Sequence, residues 1–480
     1  MIVAFFLALQ ATVSTEDDFF PITSLEIPES IVLEVGGIAL LPDGRPLVCT
    51  RRGEIWRLEN AYAGDGRDVG FALWAEGLQE PLGLLVEQEG EATYVYTAQR
   101  GELTKMYDKD GDGRADFLWT LAEWPISGNY HEYAFGPVRG PDGKLWITLN
   151  RPFGEEPFGR VDWRGFALAF DAAGTLTPIA CGLRSPCGIA TSPWGDVFFT
   201  DNQGEWVGTN KLAHLEPGDF HGHPFGIAST ERAEWTHGAA LEPPDGILVT
   251  EAAKTIPRFA LPAVWFPYDE MGRSAAGFVW DTSDGRFGPF GGHVFVADQY
   301  DASVMRVTLE EVNRKWQGAC YPFRRGLACG VTRLAWGADG SLLVGMTNRG
   351  WGSKGEGSFG LQRLVWSGRV PFELREMRAV PGGFELEFTL PLDPVSAADP
   401  ASYELSSYTY ELHSEYGSDE MDTRALLVKG ATLAGDDRVR LALDDLRAGY
   451  VHELHYERVR SSAGEAPLHD RAYYTLSVLR

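Results

Sequence analysis

One pattern of apolar and polar positions recurs along the first three quarters of the chain. Each copy has an apolar strand, a turn that ends in glycine, and a second apolar strand, as in GIALLPDGRPLVC and GIATSPWGDVFFTD. Proline and glycine favour the tight turn that reverses the chain between paired strands. Six copies can be recognised, at residues 37–49, 81–98, 136–149, 188–201, 277–298 and 331–345.

This repeat predicts an all-β fold. A further strand follows the second one in several copies, for example at 53–60 and 302–309. A four-stranded sheet cannot bury both of its faces alone, whereas sheets that stack radially can. Helices are disfavoured because glycine and proline interrupt almost every window. The sequence therefore predicts a six-bladed β-propeller over residues 16–366.

The pattern changes after the last copy. Residues 367–374 are predicted to form a linker, and short alternating strands then continue to the C-terminus. Strands of this kind over about a hundred residues are typical of a small β-sandwich. We expect an immunoglobulin-like β-sandwich over residues 371–480, with a role in packing or docking.

The N-terminus predicts export. Residues 1–15, MIVAFFLALQATVST, are apolar and end in small residues, as a signal peptide does, although the basic n-region is missing. A buried first strand is the alternative, but the acidic EDD that follows favours a secreted or periplasmic protein. The apolar run is too short to span a membrane.

The five cysteines leave the disulfide pairing open. Cys181 and Cys187 are close in sequence, and so are Cys320 and Cys329, so that two local disulfides could form after export. Cys49 would then remain unpaired.

Charge restricts the class of partner. The 480 residues include 42 Lys and Arg against 68 Asp and Glu, which gives a formal net charge of −26. A negative field of this size repels phosphate backbones and anionic lipid headgroups. Nucleic acid is therefore excluded as a partner, and cations, neutral sugars or basic proteins fit better.

An acidic loop is the sharpest local motif. It carries four carboxylates, at Asp108, Asp110, Asp112 and Asp116. They stand at positions 1, 3, 5 and 9, with Gly113 at position 6, a spacing that can wrap oxygen ligands around Ca²⁺. Trp119 stands where an EF-hand has its glutamate, and no helical pattern flanks the loop. The sequence predicts a calcium-clamped hairpin; the alternative is a solvated acidic turn.

Two further segments concentrate polar residues. His131 lies just before an apolar strand, where an innermost strand would open onto a central funnel; a single histidine is more often structural than catalytic. The segment 181–224 indicates a site at the propeller mouth. Its polar residues include Arg184, Asp201, Asn202, Gln203, Glu205, Lys211, His214, His221 and His223. His221 and His223 could bind a transition metal with Asp219, or form a hydrogen-bonded loop corner.

Several phrases resemble a known family: PISGNYHEYAFGP, GLRSPCGIA, TDNQGEWVGTNKLAHLEPGDFHGHP and RGWGSKGEGSFGLQRL. The sequence resembles the soluble quinoprotein glucose/sorbosone dehydrogenases over nearly the whole mature chain. These proteins are six-bladed propellers that bind pyrroloquinoline quinone and Ca²⁺ in a polar funnel. It is most similar to secreted planctomycete-type propellers, which are often fused to haem-binding cytochrome c domains.

The resemblance implies roles for individual residues. His131 corresponds to the base that takes a proton as hydride leaves C1 of the sugar, and Arg184 to a cofactor-contacting arginine. Gln203, Gly204 and Glu205 fall where backbone carbonyls hold the cofactor's Ca²⁺. A sugar or polyol is the implied substrate, and a c-type cytochrome the implied electron acceptor.

The sequence also departs from the family. Ser185 replaces the asparagine that follows the arginine, and the cofactor-binding lysine of the fifth blade would fall near Tyr300. The paired arginines of the sixth blade would fall near Gly330 and Thr332. These positive groups face the three carboxylates of the quinone, so their loss predicts weak cofactor binding.

Three functions follow from these observations. The first is a quinone- and calcium-dependent sugar or polyol oxidoreductase with His131 as base. The second is a non-catalytic propeller that binds a glycan or a protein partner. The third is a calcium-dependent hydrolase or lactonase, which requires Asp201 and Asp298 to converge on a central ion.

Overall fold

The computed structural model of the protein describes residues 14–154 and 161–480. The predicted signal peptide lies outside the described residues except for its last two positions. No helix in the described part is both long and apolar enough to cross a membrane.

Six groups of four antiparallel strands, which we number as blades 1 to 6, follow the six sequence copies; five are separate sheets, and blade 5 is part of a larger one. One strand precedes them, β1 (Ile22–Ser24). Blades 1 to 3 contain β2 (Val35–Leu40), β3 (Pro46–Thr50), β4 (Ile55–Glu59), β5 (Gly70–Ala75), β6 (Leu85–Glu89), β7 (Ala92–Ala98), β8 (Glu102–Tyr107), β9 (Phe117–Glu123), β10 (Ala134–Arg139), β11 (Leu145–Leu149), β12 (Phe166–Phe170) and β13 (Leu176–Cys181).

Blades 4 to 6 repeat this order with two variations. They contain β14 (Pro186–Thr191), β15 (Val197–Asp201), β16 (Asn210–His214), then β17 (Ile247–Leu248) outside the blade, β18 (Val264–Phe266), β19 (Ala275–Trp280), β20 (Val294–Asp298), β21 (Ser303–Val312), β22 (Lys315–Arg324), β23 (Val331–Trp336), β24 (Leu342–Thr347) and β25 (Phe359–Leu364). The N-terminal strand β1 pairs with β25 as the fourth strand of blade 6. The ring is thus closed by hydrogen bonds between the two ends of the six-sheet region.

Glycine explains how the first strands of the blades approach one another. Gly37, Gly83, Gly136, Gly188 and Gly277 occupy the same position in five copies of the repeat. A Cβ on Gly83 would lie 2.4 Å from the carbonyl oxygen of Gly136, and one on Gly188 would lie 2.4 Å from that of Ala276. A narrow cavity of about 180 Å³ is lined by residues in or next to all six first strands. These strands therefore surround a central axis.

The C-terminal region forms two more layers. Its strands are β26 (Leu374–Val380), β27 (Gly383–Phe388), β28 (Glu404–Thr409), β29 (Glu411–Leu412), β30 (Met421–Leu426), β31 (Val428–Leu433), β32 (Arg438–Leu443), β33 (Tyr450–His455) and β34 (Arg471–Leu476). One sheet has the order β26-β27-β32-β31, and a shared hydrophobic cluster joins it to the second. An immunoglobulin-like topology stays a prediction.

The second C-terminal sheet continues blade 5. Strand β34 pairs with β22, so that β19-β20-β21-β22-β34-β33-β28-β30 is one eight-stranded sheet. The short strand β29 pairs with β17, which lies in the long segment between β16 and β18, the last two strands of blade 4. Strand pairing therefore joins the C-terminal region to the preceding part of the chain at two places.

Helices are few and short. They are α1 (Val249–Thr255), α2 (Pro394–Ala397) and the 3₁₀ helices Glu16–Asp18, Pro224–Glu231 and Pro400–Ser402. All five cysteines are free thiols, and Cys181 and Cys320 are buried within blades 3 and 5. The two local disulfides considered above are therefore not formed in this structure.

Candidate functional site

A cavity of about 390 Å³ opens at one end of the ring. The first strand of each blade begins at this end and the second strand stops here, because paired strands are antiparallel. Residues next to these strand ends supply most of the lining, among them His131, Arg184 and Tyr300. Its volume lies within the range of about 300–1,000 Å³ that is usual for small-ligand sites.

His131 lies in this cavity, as the sequence led us to expect. Its Nδ1 is 2.9 Å from the carbonyl oxygen of Arg151, and its ring stacks on Phe153 with centroids 3.2 Å apart. A carbonyl oxygen can only accept, so Nδ1 carries the proton and Nε2 keeps its lone pair. Asn129 Oδ1 accepts the backbone N–H groups of both His131 and Phe153, which fixes the stacked pair.

The pKa of His131 is lowered to about 3. Burial is the main cause, and the guanidinium groups of Arg184 and Arg151 lower it further, against the effect of the Arg151 carbonyl. The imidazole is therefore neutral throughout the physiological range, with Nε2 free to accept a proton.

Ser185 lies next to that free nitrogen. Its Oγ is 3.4 Å from His131 Nε2 and accepts a hydrogen bond from Asn150 Nδ2 at 3.2 Å. Asn150, which follows β11 of blade 3, therefore brings an amide next to Ser185.

Asp201 holds the turn that carries Arg184 and Ser185 in place. The buried Asp201 carboxylate accepts the backbone N–H groups of Arg184 and Ser185, at 3.1 and 2.7 Å. Burial raises the pKa of Asp201, an effect opposed by Lys211, whose Nζ lies 3.9 Å away. Asp201 and Lys211 thus position the site without lining the cavity.

Five arginines line the cavity: Arg51, Arg184, Arg273, Arg333 and Arg349. Four of them lie over aromatic rings, which limits their movement. Arg51 lies over Tyr133, Arg184 between Phe153 and Tyr416, Arg273 between Tyr268 and Tyr300, and Arg333 over Phe135. Ion pairs join Arg51 to Glu80, Arg184 to Glu205, Arg273 to Asp269 and Arg349 to Glu34.

Arg333 differs from the other four. It stands where the other five repeat copies have glycine. It lines both this cavity and the narrow cavity between the six first strands. Its guanidinium donates to the carbonyl oxygens of Gly36 in blade 1 and Cys187 in blade 4, at 2.7 and 3.1 Å. Among residues 14–154 and 161–480, no carboxylate lies within ion-pair distance of it. Arg333 therefore places an unneutralised positive charge at the base of the cavity.

These arginines correct the expectation that positive charge is lost. Tyr300 lines the cavity, and Arg273 lies over its ring at 4.5 Å. Thr332 also lines the cavity, and the next residue is Arg333. The charge reaches the same cavity from neighbouring positions.

The predicted 203–205 loop lies beside the cavity. Gln203 lines it, and the side-chain oxygens of Gln203 and Asn202 are buried without a hydrogen-bond partner. The Gly204 carbonyl already accepts the backbone N–H groups of Val207 and Gly417, at 3.0 and 3.2 Å. Calcium at Gly204 would therefore compete with two hydrogen bonds, whereas the amide oxygens are available.

Glu205 pairs with two arginines, Arg151 at 2.6 Å and Arg184 at 2.8 Å. Burial alone raises the pKa of Glu205, but these two guanidinium groups lower it to about 2. The Glu205 carboxylate therefore fixes the orientation of the Arg184 side chain.

The other polar residues of this segment lie outside the cavity. His223 Nδ1 accepts the backbone N–H of Phe225, which makes it a helix cap, and His214 packs on Trp316. Among the described residues, the imidazoles of His221 and His223 do not join Asp219 in a metal-ligating cluster. Asp201 and Asp298 do not form such a cluster either. Each lies at the end of its blade's second strand and accepts a backbone N–H from the residue that precedes the first strand, Ser185 or Ser274.

The acidic loop connects β8 and β9 at the outer edge of blade 2. Ligand oxygens of Asp108, Asp110 and Asp116 lie within 4.8 Å of one another, and in the part of the chain that is described this is the one such cluster. Asp112 lies outside it. Asp108 also accepts the N–H groups of Gly111 and Gly113, at 2.8 and 2.9 Å, as an Asx-type turn would.

In sequence, the family model described as a domain of unknown function (DUF7133) matches residues 42–244. A search of curated proteins gave no match.

Solved structures extend the likeness to most of the chain. An oxidoreductase described as a glucose dehydrogenase, from Thermus thermophilus, is 19% identical with a TM-score of 0.50, and covers 72% of this chain and 100% of its own. The fold is a β-propeller. The PQQ-bound aldose sugar dehydrogenase of Streptomyces coelicolor has 18% identity, a TM-score of 0.51, and coverage of 72% and 97%. The holo pyranose dehydrogenase PQQ domain of Coprinopsis cinerea has 12%, 0.50, and 74% and 96%. At these identities the likeness shows the propeller fold and leaves its activity open.

Several cavity residues were not predicted, and their positions show why. Arg51, Asn150 and Arg349 each follow the second strand of a blade, as Asn202 does. Aligning the six copies at that strand end would have found them. Tyr416 comes from the C-terminal region, where no local pattern points to the cavity.

Proposed function

We propose that this propeller is a quinone- and calcium-dependent sugar or polyol oxidoreductase. The observation that carries the proposal is that one cavity combines the neutral imidazole of His131 with the unneutralised guanidinium of Arg333. A proton acceptor beside a binding site for an anion is what this chemistry requires of the protein.

The donors in the cavity fit pyrroloquinoline quinone. Its three carboxylates need cationic partners, and five arginines from blades 1, 4, 5 and 6 line the site. Four of the guanidinium groups lie over aromatic rings, so little freedom is lost on binding an anion. For the accompanying Ca²⁺, the unpartnered amide oxygens of Asn202 and Gln203 are hard oxygen ligands of the right kind.

His131 supplies the proton acceptor. The quinone, when bound, provides an acceptor for the hydride of the substrate. His131 Nε2 takes the proton of the hydroxyl that is oxidised, while Nδ1 stays bonded to the Arg151 carbonyl. Because burial and nearby arginines lower its pKa, the base is unprotonated before substrate arrives. Ser185 and Asn150 position the hydrogen bonds around Nε2.

Two further features belong to the proposal. We infer that electrons pass to a separate acceptor, for which a c-type cytochrome is our candidate, and that the chain is exported. The outer cluster of Asp108, Asp110 and Asp116 is proposed as a structural Ca²⁺ site, since three carboxylates at this distance repel one another without a cation.

Reconstitution tests the proposal. The full chain is incubated with pyrroloquinoline quinone and Ca²⁺, uptake is measured by equilibrium dialysis, and aldoses and polyols are screened with an artificial electron acceptor. We expect uptake at micromolar concentration and sugar oxidation. Arg333→Gln should weaken uptake by tenfold or more, because it removes the cavity arginine whose charge no carboxylate neutralises among the described residues.

The control is Arg378→Gln, which removes an arginine that pairs with Glu376 outside the cavity. It should leave uptake within twofold of the wild type. No uptake by the wild-type protein, or equal uptake by Arg333→Gln, would sink the proposal.

A further inference from the structure

One wall of the cavity is supplied by the C-terminal region. Tyr416 lines the cavity, although it lies some fifty residues beyond the end of the six-sheet region. It belongs to residues 411–418, which we call the rim loop. The solved structures described above cover 72–74% of this chain and nearly all of their own. More than a quarter of this chain thus lies outside the shared fold.

The rim loop is fixed to the propeller through backbone hydrogen bonds. Trp206 N–H donates to the His413 carbonyl at 2.8 Å, and Gly417 N–H donates to that of Gly204 at 3.2 Å. Ser418 N–H donates to the Gly208 carbonyl at 2.9 Å. At its other side, β29 pairs with β17. Backbone contacts of this number leave the loop little independent freedom.

Glycine at position 417 is required by this docking. Its φ is +69°, and a Cβ there would lie 2.7 Å from Gln203 Nε2. Gln203 in turn donates from Nε2 to the Gly208 carbonyl at 3.0 Å. The rim loop therefore packs directly against the residues that line the cavity.

Tyr416 is nevertheless exposed. Its side chain is 62% accessible, and Arg184 lies 5.5 Å from its ring centre on one side. Trp351, another residue of the cavity lining, is 50% accessible. Large aromatic rings on a rigid backbone that stay open to solvent are typical of binding surfaces, because they offer contact area at small entropic cost.

We propose that Tyr416 is a substrate-binding residue, by which the C-terminal region sets the length of saccharide that the propeller accepts. This inference rests on the proposed function. Carbohydrate fits better than an anion at this point, because Arg184 is already neutralised by Glu205 and the exposed ring can stack on the C–H face of a sugar. Since the ring stands at the rim, it contacts sugar units beyond the one that reaches His131.

The test compares Tyr416→Ala and Tyr416→Phe with Trp119→Ala in the full chain. Trp119 is also a solvent-exposed aromatic residue, on the outer strand of blade 2, away from the cavity. Binding of D-glucose and maltotriose is measured by calorimetric titration without quinone, and KM and kcat are measured after reconstitution. Quinone uptake is recorded separately for each variant.

Tyr416→Ala should raise the Kd and KM for maltotriose about tenfold, with kcat within twofold of the wild type. For D-glucose the change should stay below threefold. Tyr416→Phe keeps the stacking face and should resemble the wild type, as should Trp119→Ala. If maltotriose does not bind, or binds Tyr416→Ala and wild type equally, the inference is wrong even where quinone uptake succeeds. Failure of uptake with Tyr416-dependent sugar binding would contradict the proposed oxidation alone.

Discussion

A buried histidine and a half-buried one, His131 and His469, have opposite electrostatic surroundings. His131, in the cavity, has arginines as its charged neighbours, and its pKa is lowered to about 3. His469 joins the C-terminal region to the N-terminal segment, and lies between Glu373 at 2.5 Å and Glu16 at 3.0 Å. Burial alone would lower the pKa of His469 as well, but the two carboxylates raise it to about 9.

The comparison shows that burial lowers the pKa of both histidines, and that only the neighbouring carboxylates of His469 reverse the effect. The cavity keeps its imidazole uncharged and able to accept a proton. The junction keeps its imidazolium charged, with both ring nitrogens donating. At the junction, Glu16 also accepts from Arg324 at the end of blade 5, so that three parts of the chain meet at one ion-pair network.

The largest expected effect is on activity in the cavity. His131→Gln removes the proton acceptor but keeps a polar side chain of similar size. After reconstitution, kcat should fall by about 10² to 10⁴, the range of general-base contributions. His455→Gln, at a more exposed histidine that pairs with Glu453, is the matched control and should leave kcat unchanged. A kcat within threefold of wild type for His131→Gln would remove His131 as the base.

The next effect is on stability at the junction. His469→Gln leaves the buried Glu373 carboxylate without its cation, whereas Glu16 keeps Arg324, and breaking a buried pair in this way costs about 3 kcal/mol or more of unfolding free energy. The same change at His455, which is more exposed, should cost less than about 1 kcal/mol. Guanidinium denaturation at pH 6 measures both. Equal losses would mean that the junction network does not stabilise the fold.

A pH series sharpens the comparison, because the two sites should respond with opposite sign. For His469 the folded pKa is about 9 against an ordinary value of 6.5, so its stabilisation is present below pH 6.5 and is lost as pH rises to 9. For His131 the folded pKa is about 3, so the wild type is destabilised as pH falls below 6.5. Each should change by about 1.4 kcal/mol per pH unit within its window.

The measurement is a difference between wild type and variant, which cancels the titration of other groups. The stability advantage of wild type over His469→Gln should shrink between pH 6.5 and 9. The unfolding free energy of His131→Gln relative to that of wild type should rise as the pH falls below 6.5. Two curves of the same sign would show that burial alone controls both histidines.

The sequence predicted those parts of the molecule that depend on local pattern. The strand–turn–strand repeat predicted six sheets, and the glycine in each of five copies is explained by the contact between neighbouring first strands, as at Gly83 and Gly136. His131 was singled out because it precedes a first strand, and Arg184 because it lies in a segment rich in polar residues. Arg333 was missed, although it stands out from the glycines once the copies are aligned.

Residues brought together over long separations could not be predicted. Glu16 and His469 are 453 positions apart, and Gln203 meets Gly417 through a strand pairing that no turn specifies. Such contacts depend on how whole sheets dock, and the sequence of β34 does not reveal that it pairs with β22. The charge around each histidine therefore had to come from the structure.

The acidic loop of blade 2 tests a third way of compensating charge, by a cation from solution. Asp108, Asp110 and Asp116 converge, whereas Asp112 does not.

We expect millimolar Ca²⁺ to raise the melting temperature by about 1–4 °C relative to EDTA, as a site of weak extracellular affinity would. Asp116→Asn should abolish this shift, and Asp112→Asn should retain most of it, since only the first removes a converging carboxylate. An unchanged melting temperature with and without EDTA would make the loop an acidic turn, closed by the hydrogen bonds that Asp108 accepts from Gly111 and Gly113.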